Sequence, residues 1–223
     1  MNGEKQDLDA GIGEIAFRRI RDDIVAGTLP PGKKLKLDSL KAQYGASVST
    51  LREILNRLAS ESLVSAEGQK GFEVAGASAA NLREIADLRL LLESHAVGLS
   101  LTSGDLDWEG RVVAAHHKLS VVEAQLLRGE MERTAQWVRY DFAFHNALIS
   151  SCGSHTLLDL HASVFDRFIR YHMLAASFRG APVMDDHRAL FELAMQRDVE
   201  GMVAKLTAHI RSGVDHILAS GRL

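Results

Sequence analysis

Apolar positions recur along this chain at two spacings, and the changes between them divide it. Ala16, Phe17, Ile20 and Ile24 lie three to four residues apart, which places them on one face of a helix ending at Gly27. Pro30-Pro31-Gly32 then turns the chain into Leu35-Lys36-Leu37. Asp38 can cap a short helix, Ser39 to Tyr44, closed by Gly45, and the Ser47 and Ser49 hydroxyls can cap a second helix running to about Ser60. In that second helix Leu51, Ile54, Leu55 and Leu58 form one apolar stripe. Ser49, Thr50, Arg52, Glu53, Asn56 and Arg57 are left outside, a face rich in groups that bond phosphates and base edges. The period then falls to two. Leu63-Val64 and Phe72-Glu73-Val74 alternate like half-buried strands around a Gly68-Gln69-Lys70-Gly71 turn. The pattern predicts a helix-turn-helix with a small β-wing over residues 14–76, preceded by a flexible segment, 1–13.

After Ala75-Gly-Ala-Ser-Ala-Ala80, whose residues 77–80 read as a short linker, the 3.6-residue period returns and persists. Helices are expected at 81–101, 107–127, 130–151, 154–177, 182–197 and 198–219, with breaks at Ser103-Gly104-Asp105, Gly129, Cys152-Gly153-Ser154, Gly180-Ala181-Pro182 and Arg197-Asp198. The expected fold is mainly α: an N-terminal winged helix-turn-helix and, over 81–223, an all-α antiparallel helical bundle.

Charge sharpens this division only modestly. Residues 15–76 hold ten Lys/Arg against seven Asp/Glu, whereas residues 77–223 hold fifteen against eighteen, so the basic excess sits in the winged segment. The single Cys152 allows no internal disulfide, no apolar run is long enough to span a membrane, and no signal pattern opens the chain. A cytoplasmic location without membrane contact is expected.

Within the bundle, Asp141 and His145 stand four apart on one helical face. His187 and His209 lie roughly ten residues before and twelve after the break near Arg197, so antiparallel helices would bring them level. Three imidazoles and a carboxylate suit Zn²⁺ first, with Ni²⁺, Mn²⁺ or Fe²⁺ as alternatives. Spacing alone favours a surface or capping pair at Asp141 and His145 over metal ligands. Adjacent His116 and His117 point about 100° apart and read as surface residues. His95, His155, His161, His172 and His216 read as structural, Cys152 as core or helix end, and Trp108, Trp137, Phe142 and Phe144 as packing.

These motifs carry a resemblance. Leu29-Pro-Pro-Gly-Lys-Lys-Leu35, Tyr44-Gly-Ala-Ser-Val-Ser-Thr-Leu-Arg-Glu-Ile-Leu55, Leu58-Ala-Ser-Glu-Ser-Leu-Val64 and Gly71-Phe-Glu-Val74 resemble, in order, the DNA-binding domain of GntR-family transcription regulators. The resemblance implies base or phosphate contacts from Ser49, Thr50, Arg52 and Gly71. Lys36, Ser47, Arg57 and Lys70 complete the candidate DNA face. Val48 stands where many relatives carry an Arg, so one contact expected of the family is missing.

Leu82-Arg-Glu-Ile-Ala-Asp-Leu-Arg89 with Glu93, Asp141-Phe-Ala-Phe-His145, Asp186-His187-Arg-Ala-Leu and Leu206-Thr-Ala-His209-Ile210 are similar to the FCD effector domain of the FadR subfamily. Six helices match its VanR-like branch. That resemblance implies a divalent metal on Asp141, His145, His187 and His209, with a small carboxylate beside it. Arg89 then either pairs with that carboxylate or bridges to Glu93 at i+4.

The implied function is a ligand-responsive transcription regulator, a repressor, acting as a homodimer on a partly palindromic operator in double-stranded DNA. Two other classes are weaker: a DNA-binding protein with a purely structural metal, and a metalloenzyme. Against the enzyme stand the absence of His-Glu-x-x-His and the presence of a DNA module.

Overall fold

The computed structural model describes residues 2–66, 71–175 and 178–223, the stretch 2–10 as backbone only. The chain divides into two compact units, Met1–Ser78 and Ala79–Leu223.

The first unit begins with α1 (Asn2–Val25), which buries Ala16, Phe17, Ile20 and Ile24 against the apolar stripe of α3 (Val48–Ser60), Leu51, Ile54, Leu55 and Leu58. Between them α2 (Leu37–Tyr44) ends at Gly45, whose φ of 73° is the left-handed conformation that glycine adopts freely. Tyr44 is fastened to α1 by a 2.5 Å hydrogen bond from its hydroxyl to Asp23 Oδ2. Ser47 caps α3, its Oγ accepting from the Thr50 amide at 3.2 Å. The cap expected at Asp38 is absent. Lys36 holds the extended N-cap position without a side-chain bond, and Asp38 lies in the first turn, where its charge favours the helix dipole. The wing pairs β1 (Val64–Ala66) with β2 (Phe72–Val74) antiparallel, Val64 facing Val74, and Lys34 adds a bridge to Glu73. Residues 67–70 of the turn, with Lys70, lie outside the described residues.

The second unit holds six α-helices among its described residues: α4 (Ala79–Ser103), α5 (Leu106–Leu127), α6 (Thr134–Ile149), α7 (His155–Leu174), α8 (Ala181–Gln196) and α9 (Val199–Ala219). α4 starts two residues before its expected position, taking in Ala79 and Ala80. A single helix was expected from 130. Instead a short 3-10 turn, Met131–Arg133, precedes α6, and Thr134 Oγ1 bonds back to the Met131 carbonyl at 2.7 Å.

Asp105, Ser154 and Asp198 cap α5, α7 and α9 through their side chains, each stabilising its helix by about 1 kcal/mol. The core is built from α4, α5, α6, α8 and α9 around Trp108, Phe144, Leu190, Met202 and Leu206. Trp108 Nε1 donates to the Ala147 carbonyl at 3.0 Å, so its one polar atom is satisfied inside that core. His116, expected at the surface, is half-buried and stacks on Phe191 at 4.4 Å, because α5 packs there against α8. Among the described residues, no helix is long and apolar enough to cross a membrane.

Candidate metal centre and DNA-reading face

Three helices bring four polar groups together in the interior of the second unit. On α6, Asp141 and His145 share a face; α8 supplies His187 and α9 His209, all four buried. One nitrogen from each of His145, His187 and His209 lies within 4.8 Å of the other two. Asp141 Oδ1 stands 3.1 Å from His187 Nε2 and 4.0 Å from His145 Nε2. Neither Nε2 is aligned for a hydrogen bond, although both are buried. An orphaned pair of nitrogens in a dry interior is costly on its own. Convergence on one ion removes that cost, so the donor set fits a divalent metal of the zinc type.

The opposite nitrogen of each imidazole is held by a carboxylate. His145 Nδ1 faces Glu93 Oε2 at 3.1 Å, His187 Nδ1 faces Glu123 Oε1 at 2.7 Å, and His209 Nδ1 faces Asp186 Oδ2 at 3.2 Å. This is the carboxylate–histidine–metal arrangement, in which the outer carboxylate fixes the tautomer and leaves Nε2 free to ligate. Each outer group is itself anchored. Glu93 also receives Arg89 Nε at 2.7 Å and meets His161 Nε2 at 2.8 Å; Glu123 receives Trp137 Nε1 at 3.4 Å; Asp186 receives Lys205 Nζ at 2.6 Å.

The electrostatics agree with this geometry. Burial pushes His145 below its ordinary range and His209 well below, so both rings are neutral at pH 7. Burial acts the same way on His187, but Asp141 and Glu123, one at each nitrogen, outweigh it and raise that group to about 9. Without an ion, His187 therefore carries the proton that a metal would displace. Burial alone would raise the Asp141 and Glu93 carboxyls. His187 outweighs it at Asp141, and Arg89 with His145 does so at Glu93, so both stay ionised.

A small cavity opens beside the imidazoles, walled by Arg89, Trp137, Asp141, His172, Arg179 and His209, and closed by Gly213. A Cβ at Gly213 would stand 3.3 Å from His172 Nε2 and 3.6 Å from Phe168. Of the two alternatives for Arg89, the bridge from Nε to Glu93 is present, and Nη2 is buried with no acceptor among the described residues. Phe165 and Phe168 lie under the guanidinium at 4.3 and 4.7 Å. Sequence reasoning missed Glu123, Asp186 and Arg179, gave Glu93 only to Arg89, and assigned His172 and Trp137 to structure. Arg167 and Arg170 do not line the cavity.

On the first unit, Lys36, Ser47, Ser49, Arg52 and Arg57 are exposed, and Thr50 is half-buried. The three hydroxyls form one cluster at the start of α3, Ser47 Oγ lying 2.8 Å from both Ser49 Oγ and Thr50 Oγ1. Arg52 has no ion-pair partner among the described residues. Arg57 is committed, its guanidinium 3.6 Å over the Phe17 ring and 3.2 Å from Glu14. Gly71 has a φ of 86°, where any side chain would be strained.

Comparison with known proteins places both units. The FCD domain family matches residues 84–212, and the family described as bacterial regulatory proteins, gntR family, matches residues 13–74. The chain is 33% identical to the HTH-type transcriptional regulator BphR of Paraburkholderia xenovorans, over 100% of this chain and 96% of the relative. It is 32% identical to the HTH-type transcriptional repressor GlaR of Escherichia coli, over 87% and 90% respectively. Among solved structures it resembles E. coli McbR/YncC, with a TM-score of 0.77 at 19% identity, over 93% of this chain and 97% of that one. At that identity the likeness speaks for the fold alone.

Proposed function

The chain belongs to the GntR family of bacterial transcription regulators and carries an FCD domain, and from this we propose that it is a metal-loaded repressor released or recruited by a small organic acid. DNA binding and transcription regulation come with the family; an enzymatic role does not. The observation that carries the rest is the triple pairing of His145, His187 and His209 with Glu93, Glu123 and Asp186 around three converging ring nitrogens, with Asp141 Oδ1 3.1 Å from His187 Nε2 and a cationic cavity beside them.

In this reading Asp141, His145, His187 and His209 hold a divalent ion, zinc by preference, with Ni²⁺, Mn²⁺ or Fe²⁺ as alternatives. The ion supplies a Lewis-acidic site for a carboxylate oxygen. Arg89 offers Nη2 to the same ligand, and the aromatic wall excludes water from the pair. A homodimer presents two α3 helices to a partly palindromic operator, with Lys36, Ser47, Ser49, Thr50, Arg52, Arg57, Lys70 and Gly71 on the DNA side. Glu53 and Asn56 share the α3 face with Arg52. Regulation requires the acid to bind the two DNA-affinity states unequally.

The test starts from protein purified without added metal. Elemental analysis should find about one divalent ion per chain, lost in His209→Ala. Fluorescence anisotropy on an operator selected from random duplexes should then respond to a panel of small acids in the metal-loaded protein only. A metal-free wild-type protein with full acid response would remove the metal from this account.

A further inference from the structure

The outward side of α3 has two edges, and they are furnished differently. Ser49, Glu53 and Asn56 point away from the buried stripe; Arg52 lies toward one edge, Thr50 and Arg57 toward the other. At about 100° per residue the two arginines stand about 140° apart around the helix. A helix that enters the major groove nearly fills its width, so its two edges face the two phosphate walls. Arg52 is exposed and has no ion-pair partner among the described residues, so its edge arrives with a free cation.

The Arg57 edge does not. α1 lies against it, from Gly13 beside Thr50 to Arg21 beside Glu61. Between these ends runs a ladder of alternating charge. Arg18 Nε donates to Glu14 Oε1 at 3.1 Å, and Arg57 Nη1 donates to Glu14 Oε2 at 3.2 Å. Arg57 Nε stands 3.8 Å from Glu61 Oε1, whose second oxygen is 3.5 Å from Arg21 Nε. The Phe17 ring lies 3.6 Å beneath the Arg57 guanidinium. Arg18 first, and Arg57 with it, hold the Glu14 carboxyl below its ordinary range, so it is ionised at neutral pH.

This hold is shallow. The Arg57 and Glu14 side chains stay 55% and 43% exposed. Beside them an open cleft of about 390 Å³, lined by Glu14, Phe17, Thr50, Glu53 and Ile54, leaves the guanidinium room to swing out. A pair this exposed contributes little to stability, but a phosphate that takes Arg57 must first break it. That cost is the same on every duplex, because it involves the backbone and not the bases.

We propose that Glu14 is a positioning residue that limits DNA affinity: it holds Arg57 over Phe17 and withholds it from the phosphates on that edge of the groove. The ligand it acts against is the backbone of double-stranded DNA of any sequence. Unmatched DNA, which is bound almost wholly through phosphates, is then held less tightly. This rests on α3 as the DNA-reading helix and needs nothing from the metal centre.

Anisotropy titrations of the full-length protein on a random-sequence duplex and on a selected operator, between about 50 and 200 mM salt, read the effect. Glu14→Gln, equal in shape but uncharged, should bind both duplexes roughly twofold to fivefold more tightly. Its slope of log affinity against log salt should steepen by about one, the mark of one added phosphate contact. Arg57→Ala should keep the wild-type slope, and Glu14→Gln/Arg57→Ala should lose the gain. Unchanged or weaker binding in Glu14→Gln overturns the proposal, as does a gain confined to the operator. A gain that survives in the double variant, or a shallower slope in Arg57→Ala alone, overturns it too. The slope does not depend on the fraction of active protein, so partial unfolding of a variant cannot imitate the result. Arg52→Ala tests the reading beneath: full operator affinity there would remove α3 as the reader, whereas a loss there with no change in Glu14→Gln overturns the role of Glu14 alone.

Discussion

The candidate DNA face of α3 and the imidazole centre of the bundle commit their polar groups in opposite ways. On α3, Arg52 stands exposed, and its neighbours Ser47, Ser49 and Thr50 bond mainly to one another. In the bundle, the Glu93, Glu123, Asp141 and Asp186 carboxylates around His145, His187 and His209 are each tied to a group on a different helix. A surface that reads DNA keeps its donors uncommitted until the partner arrives, since water satisfies them meanwhile. A buried site has no water to fall back on, so its polar groups are assigned in advance, leaving only the few atoms meant for a ligand. The contrast predicts large, cooperative losses inside and smaller, separable ones outside.

The sharpest break should come from His187→Ala. It removes one ligand and leaves Asp141 and Glu123 buried without their cation, so zinc affinity should fall at least about 100-fold, with chelated stability reduced by about 3 kcal/mol or more. Titration calorimetry and chemical denaturation check the two halves. Glu123→Gln, which keeps the shape but not the charge behind His187, should weaken zinc about 10- to 100-fold. Wild-type affinity in that variant would show the outer carboxylates to be passive.

Outside, Arg52→Ala should weaken operator binding by about 1 to 3 kcal/mol while zinc content stays constant. An unchanged gel-shift affinity would exclude it as a base reader.

Acidity sharpens the comparison further, because only the interior should respond. In chelated protein His187 is raised from 6.5 to about 9, so its stabilising effect is complete below pH 6.5 and is lost as pH rises through 9. His145, His209 and His172 are lowered by burial, His172 to about 3, so stability also falls as pH drops below 6.5. Chelated protein should therefore melt highest near pH 6.5. Zinc, which competes with the His187 proton, should move that maximum upward. A chelated melting temperature that is flat from pH 6 to 9 would contradict the bracketing of His187 by two carboxylates.

The smallest effect is expected at Arg57. Its bond to Glu14 is exposed to solvent and screened, so Arg57→Ala should lower stability only slightly by thermal melting, with less loss of operator affinity than Arg52→Ala.

What was legible in the sequence follows the same divide. The winged unit announces itself because its signals are local: the 51–54–55–58 stripe, the Gly45 stop, the Ser47 cap and the alternation at Phe72–Val74 each lie within a few residues. Asp141 and His145 share a helical turn, and His187 and His209 sit at matched distances from one break, so the inner four could be proposed together. Glu93 and Glu123 lie 52 and 64 residues from the imidazoles they hold, and no periodicity links residues on different helices. Asp186 is adjacent to His187 yet serves His209, since neighbours on a helix point about 100° apart. Arg179 sits between α7 and α8, where no helical register predicts direction. The cap misplaced at Asp38 belongs with these: an acidic residue near a helix start is compatible with both the cap and the first turn.

Gly213 gives the bundle an evolutionary handle. The hollow beside the imidazoles exists partly because this one residue contributes no carbon toward His172 and Phe168. A single nucleotide change to alanine would fill part of that space without touching any of the proposed liganding or cationic groups, so under the proposed function the range of acids sensed would narrow while metal affinity and DNA reading are inherited intact.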